Sequence, residues 1–166
     1  MIFERKKMDQ LSIFQLSVAL GIISWSFVAY KYIWPKIKGM SLVKASEPLL
    51  TVHIFRYIGL AFLIPGFVGV DLPYEFSIGA AIGDITAASL AWLCLASTQS
   101  KNFKTFLWIF NIVGLLDLLH AFYEGRIVLN ITPGDFGGAY FFPILFVPFL
   151  IVTHIVIFLL LMSKKS

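Results

Sequence analysis

His53, Arg56, Asp84, Asp117, His120 and His154 all fall inside long apolar stretches, where ionisable side chains are rare. A charge at the middle of a bilayer costs about 2.5–3.5 kcal/mol on insertion scales, so such residues turn toward the interior of a helix bundle and find partners. Carboxylic acids and imidazoles are also the groups that pass protons near neutral pH. Asp117 and His120 are three residues apart, and Glu124 is seven from Asp117, so a helix carries all three on one face. Asp84, Asp117 and His120 therefore read as a proton or ion path, or as a hydrogen-bonded network that fixes helix register. Arg56 cannot deprotonate and must find an anion, carbonyl groups or a water-filled cavity. It is the clearest pointer to a ligand site, with an anionic substrate or lipid headgroup as its candidate partner.

Two other chemistries fit the residue types. Asp117-Leu118-Leu119-His120 has the carboxylate-x-x-His spacing of iron- or manganese-binding bundles. Such sites need a second motif and further carboxylates, and only Asp84 is available, so no metal ligand is assigned. His53 and His154 could be axial ligands of a b-type haem with Arg56 on a propionate, which makes a membrane redox subunit the alternative function. No phosphate loop, nucleophile elbow, zinc-protease motif or cysteine pair is present, so no catalytic residue is assigned and the cofactor is left unknown.

These residues must be positioned by elements that are almost wholly apolar. Of 166 residues, 59% are hydrophobic and 13% charged, and the mean hydropathy is +0.89. Soluble domains carry about 25% charge, and so short a chain cannot hide this much apolar surface from water. A soluble enzyme, a disordered chain and a disulfide-stapled module are excluded. The net charge of +4 sits mostly at segment ends, which marks membrane-flanking charge and no nucleic-acid surface. The single cysteine, Cys94, lies in an apolar run and reads as inert packing.

The expected fold is an all-α polytopic membrane bundle in one domain spanning residues 1–166, with five helices at about 11–30, 48–70, 77–98, 105–123 and 139–162. Four helices are the fallback. Each run approaches the roughly 20 residues needed to cross the hydrocarbon. The first follows Arg5-Lys6-Lys7 like a signal peptide, but it is too long and lacks a small-residue cleavage site. Lys31, Lys36, Lys38, Lys44, Lys101, Lys104, Lys164 and Lys165 fall on one side, against Arg5, Lys6, Lys7 and Arg126 on the other. The larger group predicts a cytoplasmic C-terminus and an external N-terminus in a cell membrane.

At 1.5 Å per residue, His53 and Arg56 lie roughly 8–12 Å deep from the cytoplasmic ends, level with Asn111 and His154. Asp84, Asp117 and His120 fall in the outer half, so two polar layers are expected. Gly79, Gly83, Ala87 and Ala91 recur every four residues and should let a neighbouring helix approach, which makes the third helix central. Pro65-Gly66 should interrupt the second helix, and Pro143 and Pro148 the fifth.

Phe55-Arg56-x-x-Gly59, Leu72-Pro73, Gly83-Asp84 and Asn111-x-x-Gly114-x-x-Asp117 resemble motifs of a group of small polytopic bacterial membrane proteins of unknown function. The resemblance covers helices two to five. It implies a bacterial multi-pass protein and brings no activity or cofactor. The leading expectation is small-solute or ion transport, with Arg56, Asp84, Asn111, Asp117 and His120 along the path. A non-catalytic accessory or assembly subunit is the further alternative. The expected partners are the lipid bilayer and a second copy or larger membrane complex, with no nucleic acid.

Overall fold

The computed structural model describes residues 9–163. Arg5, Lys6, Lys7, Lys164 and Lys165, which enter the orientation argument, lie outside the described residues. Within them the chain is all-helical, with six α-helices: α1 Gln10–Val28, α2 Trp34–Ile37, α3 Leu42–His53, α4 Tyr74–Ala96, α5 Phe103–Tyr123 and α6 Val147–Ser163. Wider π turns continue α1 over Ala29–Ile33, continue α5 over Glu124–Val128 and lead into α6 over Phe142–Phe146. Four continuous helical stretches, Gln10–Ile37, Tyr74–Ala96, Phe103–Val128 and Phe142–Ser163, are long and apolar enough to cross a membrane.

The second apolar segment departs from the expected uniform helix over 48–70. It starts earlier, at Leu42, behind the capping Ser41, whose side chain accepts a long hydrogen bond from the Lys44 N–H. It is α-helical only to His53, then tightens into a ten-residue 3-10 helix, Ile54–Leu63, and stops before Pro65-Gly66. The reason lies in the spacing of what it buries. His53, Arg56, Gly59 and Phe62 recur every three residues and are all buried. Three residues per turn keeps them in one line, whereas an α-helix would swing such a row around the axis.

α4 is the central element, packed against the 3-10 segment, α3 and α5. Its small residues permit this. Ala87 and Ala91 are wholly buried, and Gly83 and Gly79 face Asp117 and Glu124 of the α5 stretch. α1 docks on α6 and the turn before it. Pro148 has no N–H to offer the Ile144 carbonyl one turn back, and that oxygen rests against Gly21, 2.5 Å from where a Cβ would stand. The Trp25 indole N–H donates to the neighbouring Leu145 carbonyl at 3.1 Å. The proline-shaped turn is thus a docking surface for α1.

Two apolar clusters close the ends. One joins Leu50, Leu107, Phe110 and Ile157 near the 38–41 turn, and the other joins Phe62, Phe76, Ile131 and Phe136. The second is covered by the 129–140 segment, which is tied to the 64–70 turn. Gly69 N–H donates to the Asp135 carbonyl at 2.9 Å, and Gly138 N–H to the Phe67 carbonyl at 2.7 Å. Gly137 takes a φ of 52° there, and a Cβ would meet the Gly69 nitrogen at 2.8 Å, so only glycine fits.

Candidate functional site

Arg56 is wholly buried, and the 3-10 turn aims it across the bundle at two helices. Its Nε donates to Asp84 Oδ1 of α4 at 2.7 Å, its Nη2 donates to Asp117 Oδ2 of α5, and its Nη1 donates to the Gly114 carbonyl at 3.2 Å. The long arginine side chain carries its charge from the inner layer to the two carboxylates and joins the layers that sequence depth kept apart. The guanidinium fork suits this, because it holds several acceptors in fixed directions.

Glycines make room for the cluster. The second oxygen of Asp84, Oδ2, lies where a Gly59 Cβ would be, and Asp117 Oδ1 lies where a Gly83 Cβ would be. Neither oxygen receives a hydrogen bond from any described residue. One guanidinium therefore faces two carboxylates, each of which keeps an oxygen without a donor. With both acids ionised the cluster carries one negative charge more than it balances, to be met by a proton or a cation.

A second polar group continues inward. His154 Nδ1 and Asn111 Oδ1 are 2.8 Å apart. An amide oxygen only accepts, so the imidazole donates from Nδ1 and leaves Nε2 as a bare acceptor. That Nε2 and Arg56 Nη1 both lie within 3.2 Å of the point where a Gly114 Cβ would stand. Beyond it, His53 Nε2 is 2.9 Å from the Thr153 hydroxyl, which itself donates to the Leu150 or Phe149 carbonyl. His53 Nδ1, Asn111 Nδ2 and His154 Nε2 are buried without a partner. A line of polar groups thus runs from the partly exposed Asp84 and Asp117 through buried Arg56 to buried His154, Asn111, His53 and Thr153.

Of the residues singled out from sequence, Arg56, Asp84 and Asp117 meet in one cluster, and Asn111, His53 and His154 stand behind it. His120 is apart. Its side chain is 70% exposed and lies 3.8 Å from Glu124, one turn on. The imidazoles of His53 and His154 do not fit a haem. Their ring centroids are only 4.3 Å apart, which leaves no room for a macrocycle between them, and each ring already has a hydrogen-bond partner. No cluster of three or more His, Cys, Asp or Glu side chains arranged to hold a metal forms among the described residues. Sequence reasoning did not foresee the roles of Gly59, Gly114 and Thr153. The three-residue row from His53 to Phe62 is the signal that could have placed Gly59.

The carboxylates form the floor of a pocket. It lies between α1, α4, α5 and the turns before α6, with a cavity volume of about 80 Å³. The wall is almost entirely apolar and rich in phenylalanine, with Phe14, Phe62, Phe76, Phe136 and Phe142 in ring contact with one another. Apart from Asp84 and Asp117, the charged side chain at this pocket is Arg126, which is exposed.

Comparison with known proteins adds a family and no activity. Residues 13–162 match the family described as Domain of unknown function (DUF8737). That match takes in α1 from Ile13, which the motif resemblance left uncovered, and the description names neither an organism nor a membrane role. No curated protein matches the chain. No solved structure matches it.

Proposed function

We propose that this chain, which belongs to the DUF8737 family of unknown function, is an integral membrane protein that moves a small solute or ion and exchanges protons at Asp84 and Asp117. The supporting observation is the unequal charge of the cluster. Each nitrogen of the Arg56 guanidinium has an acceptor, in Asp84, Asp117 or the Gly114 carbonyl, and both carboxylates line an apolar pocket. A purely structural ion pair needs one acid per base, and a second buried acid costs several kcal/mol unless something neutralises it. A site that exchanges a proton for a ligand requires that surplus.

In this reading the composite element Leu42–Leu63 crosses beside the four long helices. At roughly 1.5 Å per α residue and 2.0 Å per 3-10 residue it has the length to do so. The end of α2 with Lys36, and the turn with Lys38 that follows it, are cytoplasmic, and the pocket opens toward the outer half. The test is proton flux in proteoliposomes of purified protein. Wild type should relax an imposed pH gradient faster than empty vesicles, and Asp117→Asn should remove most of the difference. Vesicles that leak no faster than controls, with correctly folded and inserted protein, would reject transport and leave the cluster as a device that fixes helix register.

A further inference from the structure

We propose that the phenylalanine-lined pocket binds a monovalent amphiphilic cation, a hydrophobic amine or onium ion that enters head-first and sets its charge beside Asp84 and Asp117. This rests on the transport reading above and names its substrate class.

The floor selects the charge. Arg56 lies wholly buried, with each of its three guanidinium nitrogens bonded to Asp84, Asp117 or the Gly114 carbonyl. The carboxylate side chains are 14% and 24% exposed, and each retains an oxygen with no donor. A cation there restores neutrality. An anion of the same shape would face the surplus negative charge, and a neutral tail pushed to the floor would leave carboxylate oxygens against hydrocarbon. Arg126 also lines the pocket, but it is exposed and pairs with neither acid, so its field is screened.

The wall selects the body of the ligand. Phe62 meets Phe76 and Phe142 edge-on at ring-centroid distances of 6.0 and 5.3 Å, and Phe76 meets Phe136 at 5.9 Å. Aromatic rings accept apolar groups and present negative faces to a cation. The cavity itself is small, about 80 Å³, which suits a compact head and a slender tail that reaches out along the rings to the mouth.

The experiment measures binding of hexyltrimethylphosphonium to the purified full chain in detergent, with hexyltrifluoroborate as an anion of the same tail and a similarly compact head. The phosphonium should bind saturably, and the borate at least about tenfold more weakly, as expected for one unscreened charge near the head. Asp84→Asn and Asp117→Asn should each weaken phosphonium binding by about tenfold or more. Because those variants also touch helix packing, Ala80→Phe and Ala121→Phe form a second set that fills the pocket and alters no charge. Each should abolish saturable phosphonium binding while helical content is retained. Equal affinity for the two ions, phosphonium binding indifferent to both sets of variants, or no saturable binding to folded wild type would each overturn the assignment. Proton flux without phosphonium binding would overturn this inference alone. Phosphonium binding without any flux would overturn the transport reading and leave a cation-binding protein.

Discussion

Asp117 sets its Oδ1 against Gly83, in the space where any other residue would carry a Cβ, and its other oxygen on Arg56. The carboxylate is therefore held between the backbone of α4 and the guanidinium, and its position depends on the absence of a methyl group at residue 83. Gly79, one turn earlier on the same stripe, is under no such pressure, since a Cβ there would meet nothing closer than Glu124 Oε2 at 3.7 Å.

Gly83→Ala should therefore displace the Asp117 carboxylate and weaken its bond to Arg56. Overpacking of this kind costs about 1–3 kcal/mol, while Gly79→Ala should be neutral or slightly stabilising because alanine is the better helix former. Thermal unfolding of both variants in the same detergent decides the matter. Equal melting temperatures would show that the notch is not needed.

The charge balance makes a second prediction. Arg56→Gln leaves two carboxylates with no base, and breaking a buried ion pair from one side costs about 3–5 kcal/mol. The triple variant Arg56→Gln/Asp84→Asn/Asp117→Asn carries no charge at all and should recover much of the lost stability. The yield of monodisperse protein and its melting temperature report both steps. A triple variant as poor as the single one would mean that the arginine acts through shape and not charge.

The two classes of histidine should also separate. Asn111→Leu removes the acceptor of His154 Nδ1–H in a fully buried setting, and leaving such a donor unsatisfied costs about 1–3 kcal/mol. His120→Ala touches only a long, exposed contact to Glu124, which contributes little. Denaturation midpoints should fall for Asn111→Leu and stay unchanged for His120→Ala, and proton flux should survive His120→Ala. Loss of flux on removing His120 would return it to the path.

Orientation can be read by labelling introduced cysteines. Cys94 is 1% exposed and should react slowly with thiol reagents. Lys38→Cys lies in the turn between α2 and α3, and Asp71→Cys in the turn before α4. In intact cells a membrane-impermeant maleimide should label Asp71→Cys and spare Lys38→Cys until the membrane is opened. The reverse pattern would place the pocket mouth on the cytoplasmic side.

Much of this architecture is legible in the residues themselves. Continuous apolar runs with charge confined to their ends leave helices as the economical way to satisfy the backbone in lipid, and two of the four long helices begin and end within three residues of the expected limits, while Phe103–Val128 runs five residues past its expected end through a π turn. The first departs furthest. It runs on past Tyr30 to Ile37, because a π turn and the tolerated Pro35 at the start of α2 prolong it. The composite second element was harder to read, since its hydropathy is that of an ordinary α-helix and only the three-residue row of His53, Arg56, Gly59 and Phe62 records the 3-10 geometry.

The sequence by itself determined that a handful of ionisable residues would sit in apolar helices, which of them they were, and that a helix lined with small residues would be central. Their types and periodicities are local properties. Only the tertiary structure decided that Arg56 bonds both Asp84 and Asp117, that His120 turns away, and that His53 and His154 stand too close for a macrocycle. Each depends on the direction of a side chain across a gap between elements 28 to 100 residues apart in the chain. Depth counted along separate helices gives height and not azimuth, and it takes no account of how far an arginine reaches. The azimuth was set by a 3-10 turn and by glycines that let acids approach a backbone, and those are outcomes of packing.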